Sequence, residues 1–185
     1  MNSQVGKIFI AVLIASLPLF SQTSFGQARN PKAVEHVNTA IDLKKKGDVV
    51  SAQAHYLEAI RIEPRYAEAH YNYAILLGER GDINRAISEC RKAIEIEPNY
   101  AEAHFNLALY LRKKGDKEGE IKEYERAIAA APNYANAHFN LGNALVERGD
   151  YEGAIKHYEA YLKLAPKARD VEQVKQIIKK LRAQL

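Results

Sequence analysis

From Ala67 to Arg80 (AEAHYNYAILLGER) apolar residues recur at helical spacing, which predicts an amphipathic helix with one buried face. Gly81 suits the left-handed residue after a helix end, and Asp82 is placed to cap a second helix, Ile83 to Ile96. Pro98 stops that second helix, because proline cannot continue a helix interior and biases Glu97 away from helical angles. The same punctuation returns along the chain. Pro64, Pro98, Pro132 and Pro166 are each 34 residues apart, and so are the Gly-Asp pairs that begin at Gly47, Gly81, Gly115 and Gly149. A fixed period predicts an array of helix pairs. Helices of at most about fifteen residues are marginal alone in water, so neighbouring pairs must stack to be stable.

Two segments fall outside the period. At the N-terminus, Lys7 precedes the apolar run Ile8 to Phe20, interrupted only by Ser16 and Pro18, and polar, small residues follow. Residues 1–28 have the order of a secretory signal peptide, with a cut expected after Gly26 or after Ala28; the run is short for a spanning helix. No Cys follows it to carry a lipoprotein anchor. Retention of this segment as an uncleaved anchor is the competing reading. At the C-terminus, Val171, Val174, Ile177, Ile178, Leu181 and Leu185 form one apolar stripe, while Arg169, Glu172, Lys175, Lys179, Lys180 and Arg182 lie mostly off it. Residues 169–185 therefore read as a capping helix on the end of the array.

Aligned on the period, residues 33–66, 67–100, 101–134 and 135–168 form four units, within a repeat domain spanning residues 29–168. Their eighth position is small (Ala40, Ala74, Ala108, Gly142), the eleventh is Leu43, Leu77, Leu111 and Leu145, and the twentieth is Ala52, Ala86 and Ala154. The twenty-fourth is Tyr56, Cys90, Tyr124 and Tyr158, and the twenty-seventh is Ala59, Ala93 and Ala127. This pattern resembles the tetratricopeptide repeat. The resemblance implies an all-α fold, a right-handed α-solenoid of helix-turn-helix repeats. Glu120 at the twentieth position and Tyr161 at the twenty-seventh depart from the pattern, as does Thr39 in the first unit. Glu120 beside Gly119 suggests a looser third helix pair, and its long stem is expected to keep the carboxylate in water.

Composition narrows the chemistry. Twenty-seven basic against 23 acidic residues give +4, or +3 once Lys7 leaves with the leader, too even to argue for nucleic acid. The lone Cys90 cannot form an intramolecular disulfide, and it stands where its counterparts are buried Tyr. His36, His70, His104 and His138 recur at the fourth position of every unit, which reads as structural packing; His55 and His157 lie on second helices, with no apparent ligand partner. No phosphate loop, nucleophile elbow or metalloprotease motif is present. The expectation is a non-enzyme with no cofactor and no metal site.

What remains is the groove. In the resembled family the first helices line a concave surface that contacts peptides. Carried onto this chain, the resemblance places Val37, Tyr71, Phe105 and Phe139 at the fifth position, Asn38, Asn72, Asn106 and Asn140 at the sixth, and Ile41, Ile75, Leu109 and Asn143 at the ninth. These would make an aromatic and apolar furrow edged by carboxamides, which both donate to and accept from an extended backbone. The residues of the family's carboxylate clamp do not match, apart from the central Asn. Basic clusters Lys44 to Lys46 and Arg112 to Lys114 close two first helices and suit their negative dipole ends. The expected function is therefore a secreted, periplasmic adaptor or assembly factor that binds a protein or peptide, with self-association or peripheral membrane contact also open. The competing reading is a membrane-tethered structural subunit, held by an uncleaved N-terminus or by the basic C-terminal helix.

Overall fold

A computed structural model describes residues 29–185; the expected signal peptide lies outside the described residues. Within them nine helices follow one another: α1 Pro31–Lys45, α2 Val49–Ile62, α3 Ala67–Glu79, α4 Ile83–Ile96, α5 Ala101–Lys114, α6 Lys117–Ala130, α7 Ala135–Arg148, α8 Tyr151–Leu164 and α9 Val171–Arg182. The first helix starts two residues before the expected unit boundary, because the Asn30 side chain caps it by accepting from the Lys32 N–H. Similarly, α3 ends one residue early, with Arg80 as its C-cap.

The turns explain the period. Gly47, Gly81, Gly115 and Gly149 all have φ between 78° and 84°, a region that glycine enters without steric cost. Directly after each, Asp48, Asp82, Asp116 or Asp150 accepts from the N–H three residues on and caps the second helix. At the other end of the second helices Glu63, Glu97 and Ala131 have left the helical region before a proline.

Each helix packs most closely on its partner in the pair, then on the next pair; α1 also touches α3, and α3 touches α5. First helices thus lie side by side on one face of an α-solenoid. Small residues allow the close approach: Ala40, Ala74, Ala108, Ala52, Ala86, Ala154, Ala59, Ala93 and Ala127 are fully buried. Tyr56, Tyr124 and Tyr158 fill the space between helices. In the second unit, where Cys90 replaces that ring, the same core receives Tyr110 from the next repeat, lying against Gly78 with its hydroxyl donating to the Ala74 carbonyl.

Two departures are resolved by packing. Ala168 stands where Tyr66, Tyr100 and Tyr134 end the earlier units, and Tyr161 supplies the missing ring, stacking on Phe139 at 5.1 Å and donating to Asp170 at 2.6 Å. Glu120 behaves otherwise than expected. It is 2% exposed rather than wet, because α6 packs on α5 as tightly as the other pairs do and leaves its stem no route out; the third pair is not loosened. One of its carboxylate oxygens and the Tyr124 hydroxyl are buried without a hydrogen-bond partner.

Helix α9 caps the array. Val174, Ile178 and Leu181 are buried against the last repeat, while Leu185, expected on the same stripe, is 68% exposed because the helix has ended before it. Among the described residues, no helix is long and apolar enough to cross a membrane.

Candidate functional site

The shared face of α1, α3, α5 and α7 carries the twelve residues that the sequence points to, and their environments differ. Tyr71, Phe105 and Phe139 are half-buried and stack internally: Tyr71 on Tyr100 at 4.9 Å, Phe105 on Tyr134 at 4.9 Å, and Phe139 on Tyr161. Val37 is a correction. At 1% exposure it is a core residue, since its short side chain stops where the three rings reach past the helix surface. Asn38 is exposed, and Ile41, Asn72, Ile75, Asn106, Leu109, Asn140 and Asn143 are half-buried.

The carboxamides are partly committed. Asn72 donates to the Glu68 carbonyl at 3.0 Å, and Asn106 donates to the Tyr71 hydroxyl at 3.1 Å, each through its amide nitrogen, which leaves the carbonyl oxygen to accept. Asn143 is the reverse, accepting from the Tyr158 hydroxyl at 2.7 Å through its oxygen. Burial pushes the Tyr71 hydroxyl up to about 12, so it is a neutral hydrogen-bonding group at any physiological pH.

Between α3 and α5 the face deepens into a cleft of about 620 Å³. It is lined by Ile75, Asn106, Leu109 and Tyr110, with Glu79, Arg112 and Lys113 at its end. The basic clusters close helices as expected, but two of their members are also tied to the following repeat: Lys44 to Glu79 at 2.6 Å and Arg112 to Glu147 at 3.1 Å. A second cleft, which no motif or spacing foreshadows, lies at the α2–α4 edge. It measures about 510 Å³ and is lined by Val50, Gln53, Ala54, Leu57, Leu77, Arg80, Asp82 and Arg85. Val50 and Leu57 are 77% and 44% exposed, a signal readable in the sequence only as apolar residues off the buried stripe of α2.

The six histidines all pair within their own unit, each fourth-position ring meeting the residue nineteen places on. In the two middle units the partner is Glu: His70 to Glu89 and His104 to Glu123, both at 2.6 Å. Burial raises these carboxyls, but the His hydrogen bond and the neighbouring Lys92 or Arg126 outweigh it and hold them below the usual carboxylate range. In the outer units the partner is His, which corrects the expectation that His55 and His157 stand alone: Nδ1 atoms face each other at 2.9 Å in His36–His55 and at 3.0 Å in His138–His157. Superposing the four units would have revealed the recurrent nineteen-residue offset. Cys90 is fully buried, and burial pushes its thiol up to about 12, which keeps it protonated and a poor nucleophile.

Comparison with known proteins agrees with this geometry. One tetratricopeptide repeat model matches residues 75–135 and 121–169, and a second matches residues 55–88. No curated protein matches the chain. Among solved structures it is similar to the MamA protein, at 22% identity over 82% of this chain and 83% of that one, with a TM-score of 0.72. It is also similar to a tetratricopeptide repeat protein from Parabacteroides merdae, at 20% identity over 84% of this chain and 62% of that one, with a TM-score of 0.73. A mutant O-GlcNAc transferase from Thermobaculum terrenum is similar at 24% identity over 75% of this chain but only 27% of its own length, with a TM-score of 0.65. Likeness at these identities concerns the fold alone, whereas the repeat models reach the sequence itself over more than half its length: the chain belongs to the tetratricopeptide repeat family.

Proposed function

We propose that the chain is a secreted, periplasmic adaptor or assembly factor that binds an extended segment of a partner protein along the face of α1, α3, α5 and α7, without covalent chemistry of its own. The observation that carries this reading is the α3–α5 cleft, in which apolar Ile75 and Leu109 flank Asn106 and charged groups stand at one end. An extended peptide presents a backbone donor and acceptor at each residue, and Asn72 and Asn106 keep oxygens to accept from it. Each such bond contributes about 0.5 to 1.5 kcal/mol net, so apolar anchoring at Ile75 and Leu109 has to supply most of the affinity. The order of charged, apolar and small residues in the first 28 positions supports export, and a mature N-terminus at Gln27 or Arg29 is the expected result of sequencing the protein from cells.

The test is a crosslinked pull-down from envelope extract with the wild-type chain and an Ile75→Ser, Leu109→Ser variant, with circular dichroism establishing equal helicity. A partner retained by the first and lost at least tenfold by the second supports the groove. Equal retention overturns it and moves the interface to the α2–α4 edge.

A further inference from the structure

We infer that the outer repeats hold two divalent transition-metal sites, one at His36–His55 and one at His138–His157, each taking a borderline ion such as Zn²⁺ or Cu²⁺ on a pair of imidazole Nδ1 atoms. The geometry begins with tautomers. The Pro132 carbonyl can only accept, so His138, with Nε2 at 3.1 Å from it, carries its proton on Nε2 and points a bare Nδ1 lone pair at His157. A carbonyl that fixes the far nitrogen in this way is the outer contact that metal-bound imidazoles commonly have. Opposite it stands the His157 Nδ1 at 3.0 Å, and the His36 and His55 Nδ1 atoms are 2.9 Å apart in the first unit. Two nitrogens at about 2.0 to 2.1 Å from one ion and at right angles around it lie about 2.9 Å apart; a tetrahedral angle needs roughly 3.3 Å. The observed separations fall a few tenths of an ångström short of the tetrahedral one, so each ring has to turn its Nδ1 lone pair off the line between the two nitrogens to converge on one ion. Without metal, one proton sits between the two Nδ1 atoms. With metal, the donor ring moves that proton to its own Nε2, both rings stay neutral, and no net proton is released.

The middle units show why the outer ones differ. There the partner of the fourth-position His is a carboxylate, and a cation already stands one helical turn further on: Lys92 reaches Glu89 at 2.8 Å, and Arg126 reaches Glu123 at 2.7 Å. In the outer units that further position is Glu58 or Ala160, so no Lys or Arg stands there to occupy the pair, although the exposed Lys156 next to His157 disfavours extra positive charge on that ring. Glu58 itself is held by the exposed Arg61. Among the described residues no three His, Cys, Asp or Glu side chains gather around one point, so water completes each shell and binding is exchangeable. His36, His55 and His157 are only partly buried, which gives the ion and its waters a way in.

The experiment is calorimetric titration of Zn²⁺, with Mg²⁺ as control, into the purified full chain at about 100 μM and pH 7.5 without an affinity tag. His55→Gln and His157→Gln each remove one Nδ1 ligand while keeping an amide N–H that can donate to the remaining ring, so both variants are expected to fold; circular dichroism checks it. The inference predicts two equivalents of Zn²⁺ in the wild type, one in each single variant and none in the double variant, with no heat of binding from Mg²⁺. Absence of Zn²⁺ binding by the wild type overturns it. A single variant that still takes up two equivalents removes the site it was built to delete.

Discussion

Glu120 carries a carboxylate into a place where three other repeats have alanine, and it does so at a cost. Burial pushes its carboxyl above the usual range; Arg112 at 3.9 Å and Lys117 only partly offset this, and Glu147 adds to it. A group raised in the folded state is stabilising when protonated, so its contribution is complete below the unfolded value of 4.5 and is lost as pH rises through the folded value. Glu120→Gln should therefore flatten the fall in stability as pH rises above about 4.5, read from urea midpoints at a series of pH values against the wild type. Glu120→Ala, which restores the small residue, should stabilise the fold at pH 7 by about 1 to 2 kcal/mol. Gly78 shows the opposite dependence: a Cβ there would meet the Tyr110 ring, so Gly78→Ala should destabilise by about 1 to 3 kcal/mol, and Tyr110→Leu in the same chain should recover most of the loss. Small positions, caps and left-handed glycines were legible from single residues because each is a local demand. The burial of Glu120 and Val37 was not, because exposure depends on how far a side chain reaches relative to its neighbours.

The helices followed from periodicity and punctuation, and their pairing followed from short turns. What the pattern left unexplained was how a departure in one helix is answered in another. Tyr161 at a small position was visible, but its reason lies across the helix, in the absence of a ring at Ala168 and the need to support Phe139. Tyr161→Ala should cost roughly 3 to 5 kcal/mol, whereas Tyr161→Phe, which loses only the bond to Asp170, should cost about 1 kcal/mol; denaturant titration distinguishes the two. The histidine pairs belong to the same level. Each ring was assigned to its own helix, and the pairing of first and second helices makes partners of residues nineteen apart.

Across the whole molecule the buried residues fall into two clusters that meet in α5. Leu107, Tyr110 and Leu111 join the N-terminal cluster, and Ala108 joins the one that runs to Leu181. A stack whose units touch only their neighbours loses order from its ends, so amide exchange should be slowest in α4 to α6 and fastest in α1 and α9. The central claim concerns the inner face: a partner lies along the first helices. A photoreactive amino acid placed at Leu109, in the α3–α5 cleft, and separately at Leu57, on the exposed α2–α4 edge, tests it in intact cells. The account predicts a discrete crosslinked species from position 109 and none from position 57; the reverse pattern would contradict it.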